Sequence, residues 1–367
     1  MATDIKKLFE ALTQHQAYLY RASSKTVNEL LALFNDDTSK MLSKLRDLLD
    51  ELNESEKVAL AGGKYTTSNL REIRDLIAQW FASVNLALPE AFAVSATALA
   101  VYEANYVAKL YGAKINKPDG EKLFLSAKKV PLAGGALVDD LLSRIAESAR
   151  QKVEYAIRDG INSGKTNQEI VQRIRGTKRL NYEDGILNGT KTDIERTVRT
   201  VRSHVANQAY LNSFNQIGFE YVRFVSVLDG RTSKLCASLD GSVWEINDPA
   251  KRVPPLHPNC RSILVPVEKD GQLVGERPFV MDERRVKDIP KEERSQLIGQ
   301  LDANTTFKEF FKKTDDFFQR EWLGPKRFKL YKDGKFDFDK FFDPEGRFYS
   351  LDDLRKLDEK AFKKLGL

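Results

Sequence analysis

The chain has 367 residues, 41% hydrophobic and 31% charged, with 59 basic and 53 acidic side chains and a net charge of +6. That apolar fraction excludes wholesale disorder, and at roughly 100–200 residues per domain the length implies two or three domains. Two cysteines exclude a disulfide scaffold, and the small basic excess permits contact with nucleic acid or an acidic protein surface without requiring it.

Residues 1–116 read as a helical region. The charged start has no apolar core, so no secretory leader is expected, and a reducing compartment suits the two thiols. Apolar residues recur at three- and four-residue steps: Val27, Leu30, Leu31, Leu33 and Phe34, then Leu42, Leu45, Leu48 and Leu49. Gly62-Gly63 breaks the period. Asn69 is placed to cap a second run through Leu70, Ile73, Ile77, Trp80 and Phe81, which Pro89 is expected to end or kink. The most apolar stretch, residues 91–102, carries Ser95 and Thr97 between Glu90 and Glu103. It is shorter than the roughly 18 residues of a membrane span, so a buried helix and no membrane contact are expected.

Residues 117–191 form a helical connecting region. It opens on the turn Lys117-Pro118-Asp119-Gly120 and regains helical period over 137–161, until Ser163-Gly164-Lys165. Thr166 with Glu169 is a capping box for a short helix over 167–173, and 178–189 reads as a loop.

Residues 192–268 hold the chemistry. Thr192 with Glu195 reads as a second capping box, opening a helix to about residue 216 with Ile194, Val198, Val201, Val205 and Ala209 inward. Arg196, Arg199 and Arg202 step by three along another face. They form either a basic ridge for phosphates or carboxylates or an ordinary solvated face. After Gly218 the pattern turns to alternation, with strands at 221–228, 242–246 and 262–267. Residues 269–367 are an aromatic-rich helical tail. Its last 67 residues hold 12 of the 21 phenylalanines, in a helix capped by Thr306 and Glu309, a stop at Gly324-Pro325, and a closing helix over 351–365. The fold class expected is α+β, mostly helical: an N-terminal helical region, a long helix beside a small antiparallel sheet, and the tail.

Both cysteines and one of the three histidines fall between Asp229 and Arg261. Proline flanks His257 on both sides and stiffens its loop. His257 and Cys260 have His-x-x-Cys spacing, and Cys236 returns from the preceding strand end. These are three ligands suited to zinc, with the fourth position left to Asp229, Asp240 or His204. Other readings stay open: cysteines packed in a small core, a Cys236–Cys260 disulfide, a thiolate nucleophile with His257 as base, or a zinc hydrolase using Asp229, Asp240 or Glu245. No phosphate-binding glycine loop and no Gly-x-Gly-x-x-Gly is present, so nucleotide hydrolysis has no support.

The run Asp229-x-Arg231-Thr232-x-x-x-Cys236, Asp240-Gly241 and Pro254-Pro255-x-His257-Pro258-x-Cys260-Arg261 resembles the signature of the phage head morphogenesis family, minor head proteins similar to the F protein of phage Mu. Upstream, Val198-Arg199-Thr200 and His204-Val-x-Asn207-Gln208-Ala209 resemble the helix before that signature. Downstream, Trp322-Leu323-Gly324, Arg327, Asp333-Gly334 and the Ser350-Leu351-Asp352-Asp353-Leu354 helix start resemble the family's tail. The likeness covers about residues 137–360. It implies a minor capsid protein, made in the bacterial host cytoplasm and carried in the virion near the portal vertex. Its implied partners are the portal, packaged DNA, and major capsid or scaffold proteins, in multiple copies, with a part in head assembly, packaging or DNA delivery. The competing reading is a zinc-dependent enzyme or DNA-binding protein ejected with the DNA. Many relatives have a further cysteine near 233 or after Arg261, where this chain has Ser233 and Ser262.

Overall fold

The computed structural model describes residues 2–132 and 134–367. It divides into two compact units, one built from Tyr20–Val101 and Asp119–Val205, the other from Met1–Leu19, Tyr102–Pro118 and Ala206–Leu367. Three long helices, α1 (Ala2–Asp50), α3 (Ser68–Tyr111) and α7 (Asn188–Ile217), contribute residues to both.

The first unit is helical. With parts of α1, α3 and α7 it holds α2 (Glu54–Ala61), α4 (Gly120–Lys129), α5 (Val138–Asn162) and α6 (Asn167–Arg175). The apolar stripes read from the sequence are its core. Leu30, Phe34 and Leu45 of α1 are buried, as are Ile73, Ile77 and Trp80 of α3, Ile145 and Val153 of α5, and Ile194, Val198 and Val201 of α7. The Thr166–Glu169 box caps α6 as expected, and an Asn53–Glu56 box caps α2. Helices α5 and α6 pack closely: a Cβ at Gly160 would stand 2.5 Å from Ile170 Cγ1.

Three boundaries differ from the sequence expectation. Helix α3 starts at Ser68, and Thr67 Oγ1, not Asn69, accepts the Leu70 N–H. It also continues past Pro89 instead of ending there. Proline within a helix costs about 3 kcal/mol, but Trp80, Val84, Leu88, Phe92 and Ala96 bury an apolar stripe on both sides of it, and that burial prevails. Helix α7 begins a turn before Thr192, whose hydroxyl donates to the Asn188 carbonyl inside the helix rather than capping it. Among the described residues, α3 is the one helix long and apolar enough to cross a membrane by length and composition; its apolar run extends beyond 91–102, and a third of the most apolar window is buried.

The second unit carries the sheets. Strands β1 (Tyr221–Val225), β3 (Val243–Glu245) and β4 (Ile263–Val267) make the expected antiparallel sheet in the order β3-β1-β4, with Tyr221 opposite both Glu245 and Val267. Between them lie β2 (Leu228–Asp229) and α8 (Lys234–Leu239). A second sheet was not anticipated. In it β2 pairs in parallel with β5 (Glu276–Val280), which pairs antiparallel with β6 (Ile298–Asp302), after α9 (Lys291–Leu297). Pro278 and Gly299 hide both strands from a propensity reading.

The tail breaks into short helices: α10 (Phe307–Lys313), α11 (Asp316–Leu323), α12 (Pro325–Lys332), α13 (Leu351–Leu357) and α14 (Glu359–Leu365). The helix expected across 307–322 is two, because Asp315 caps α11 through the Phe318 N–H. The closing helix is likewise divided at Asp358, which caps α14. Phe307, Phe310, Phe311, Trp322, Phe338 and Phe341 gather with Leu228 and Ala237 into one buried cluster.

Candidate metal centre

The loop between β3 and β4 folds back on α8. Ser233 caps α8, its side chain accepting from the Cys236 N–H at 3.2 Å, and so fixes Cys236 in the first turn. On the returning loop the Cys260 N–H donates to the His257 carbonyl at 3.1 Å, with Asn259 between them in the left-handed region (φ 58°). Pro255, preceded by a cis peptide, leads into this turn.

The result is a cluster of three donors. Cys236 Sγ lies 3.3 Å from His257 Nε2 and 3.6 Å from Cys260 Sγ, and all three donor atoms fall within 4.8 Å of one another. Both cysteines are buried thiols with no disulfide, and His257 is partly exposed. The Pro258 carbonyl stands 2.9 Å from His257 Nδ1. It accepts a hydrogen bond from the Nδ1–H and leaves the Nε2 lone pair toward the sulfurs. The Cys236 hydrogen bond, against the effect of burial and helped by His257, holds Cys260 well below an ordinary thiol. The same contact and burial push Cys236 up, although Ser233 and Ser262 hydrogen-bond to it. Burial pulls His257 down, but Cys260 and the Pro258 carbonyl outweigh it, and its pKa ends above that of free imidazole.

None of the three residues named for a fourth ligand joins the cluster. Asp229 is buried and takes Arg261 end-on through both oxygens, at 2.6 and 2.7 Å, with the Arg231 guanidinium at 3.1 Å. Thr232 donates to the Val227 carbonyl and closes the same turn. Asp240 accepts from the Ser226 and Phe307 backbone N–H groups, each at 2.6 Å, and from Arg277 at 3.0 Å, while Arg277 also donates to the Ser226 carbonyl. The next residue, Gly241, needs its positive φ of 90°, and a Cβ there would meet Thr306 at 2.8 Å. His204 belongs to the helical unit, where its Nε2 bonds the Ala127 carbonyl at 2.9 Å and burial lowers its pKa. Asp229 is claimed by Arg231 and Arg261 of the motif itself, and Asp240 by Arg277, of which the spacing near the cysteines gave no sign.

The arginine ridge is also corrected. Arg199 donates to the Tyr20 carbonyl at 2.7 Å and to Ser23, pairs with Glu195, and lies 4.2 Å from the centre of the Tyr20 ring. Arg202 is buried and donates to the hydroxyls of Thr26 and Ser95. Only Arg196 of the three stays half-exposed, 3.7 Å from Asp193. Two of the three guanidiniums therefore serve the interior of the helical unit.

Sequence reasoning missed Arg277, which lies in a strand it did not foresee, and the setting of Lys234. The Lys234 ammonium sits 3.7 Å from the centre of the Trp322 ring, and burial lowers its pKa to about 8. The Trp322 indole N–H donates to the Thr232 carbonyl at 3.1 Å and ties the tail to the motif.

No curated protein and no solved structure matches the chain. Residues 151–265 match the family described as Phage Mu protein F like protein. The match takes in Cys236, His257, Cys260 and the Asp229–Arg261 pair. Over that span the chain is similar to the phage Mu protein F like family.

Proposed function

We propose that the protein is a minor head protein of a phage particle, bound at the portal vertex, with a structural part in head assembly, DNA packaging or DNA delivery. The observation that carries the proposal is the family match across 151–265, the stretch in which the Asp229–Arg261 and Cys–His–Cys geometry is built. In this reading the protein is made in the bacterial cytoplasm, enters the prohead in several copies, and touches the portal, packaged DNA, and the major capsid or scaffold proteins.

A structural role agrees with how the motif side chains are used. Asp229 and Asp240 hold backbone and arginine groups in place, and both sulfurs are buried. A DNA-coating role through the arginine ridge loses its main support, because Arg199 and Arg202 are engaged within the fold.

The test is quantitative mass spectrometry of purified particles before and after triggered DNA release. A fixed ratio to the portal protein in both samples is the expected result. Loss of the protein with the DNA would replace this reading with that of an ejected enzyme or DNA-binding protein.

A further inference from the structure

We infer that Cys236, His257 and Cys260 bind one zinc ion, which clasps the 254–261 loop to α8. The first support is spacing. Tetrahedral zinc with sulfur at about 2.3 Å and nitrogen at about 2.0 Å sets its donor atoms roughly 3.5–3.8 Å apart. Here the sulfur–sulfur distance is 3.6 Å, the Cys236 sulfur lies 3.3 Å from the ring nitrogen, and all three donors fall within 4.8 Å of one another. A disulfide would need the sulfurs about 2.05 Å apart and an oxidant.

The second support is orientation. Ligating imidazoles are usually held at their other nitrogen by a carbonyl or carboxylate, and Pro258 holds His257 Nδ1 in that way. The third is burial. Both sulfurs are buried, and the ring nitrogen of the partly exposed His257 meets them there.

Among the described residues the protein supplies three ligands and no more. Asp229 and Asp240 are held by Arg261 and Arg277, and His204 lies in the other unit. The buried Ser262 also stands beside the cluster, and its hydroxyl bonds the Cys236 sulfur. Water takes the fourth position. Binding forms two zinc–sulfur bonds and one zinc–nitrogen bond, and the thiol protons pass to solvent with no change in oxidation state.

The experiment uses the full-length protein purified in reductant. Elemental analysis is expected to find one zinc per chain. Cobalt replacing it should show thiolate charge-transfer absorption and the visible bands of tetrahedral cobalt. Cys260→Ser and Cys236→Ser should each lose the charge-transfer intensity. His257→Gln, at a partly exposed position, should bind cobalt at least tenfold more weakly and still fold. Ser262→Cys should tighten binding at least tenfold by supplying a fourth thiolate, and Ser262→Ala should leave it within a few-fold of wild type. The inference fails if the folded wild-type protein takes up no zinc or cobalt while both thiols react with a thiol reagent. It also fails if the purified chain carries a Cys236–Cys260 disulfide, or if a variant lacking both thiols keeps its metal. Metal content is read on the isolated protein, so this result is independent of whether the protein stays with the portal.

Discussion

Asp229 shows how a single side chain decides whether this motif holds. Burial alone would raise its pKa, yet Arg261 and Arg231 bring it below the ordinary carboxylate value, so it stays charged in the fold. A carboxyl with a lowered folded pKa stabilises the fold above its unfolded value of about 3.9, and that stabilisation is lost as pH falls through the folded pKa. Asp229→Asn should therefore cost about 3–5 kcal/mol at pH 7, the cost of leaving the Arg261 charge without its partner. Urea unfolding followed from pH 7 to pH 3 should show the wild-type and variant stabilities converging below about pH 4. A gap that stays constant over that range would mean that packing, not charge, makes the difference. At this scale the sequence was informative about the donor cluster, because His-x-x-Cys spacing and flanking prolines act locally. It was uninformative about Arg199 and Arg202. A three-residue step shows that they share a helix face, but not that Tyr20, Ser23, Thr26 and Ser95 stand opposite it.

Among the elements, the tail helices lean on one another more than on their own hydrogen bonds. Helices α10 and α11 have seven and eight residues, too short to persist alone in water. Trp322 of α11 stacks with Phe338, packs on Phe307 and Phe311, and bonds the Thr232 carbonyl. Trp322→Ala should cost about 3–5 kcal/mol, and Trp322→Phe less, about 1–3 kcal/mol, mainly from the unpaired Thr232 carbonyl. Thermal or urea unfolding of both variants measures the split. Equal losses would show that the indole N–H adds nothing. The elements legible in advance were those with local signals, such as the Thr166 and Thr306 boxes and the alternation in β1. Those that were not legible answer to distant partners. Strand β5 exists because β2 and β6 flank it despite Pro278, and α3 passes Pro89 because its buried stripe continues.

At the scale of the molecule, the family segment and the compact units do not coincide. Residues 151–205 lie in the helical unit and 206–265 in the sheet-bearing one. A fragment of residues 151–265 would lack the Ala127 carbonyl that His204 bonds, the Arg277 that Asp240 pairs with, and the Trp322 that Thr232 holds. Such a fragment should show no cooperative thermal transition by circular dichroism, whereas the full chain should melt cooperatively. A sharp transition in the fragment would show that the family segment folds on its own.

The bonds that Asp240 makes also set an order of events during synthesis. When Cys260 leaves the ribosome, every residue of the Cys–His–Cys cluster has been made, but the backbone N–H of Phe307, the Arg277 guanidinium and the Trp322 indole have not. Until they arrive, the Asp240 carboxylate has only the Ser226 N–H and water, and the Thr232 carbonyl has only water. The motif therefore stays provisional through the translation of at least sixty further residues, because Trp322 follows Cys260 by sixty-two positions. A nascent chain released before the aromatic cluster is complete would carry every signature residue and still lack the contacts that hold the signature in shape.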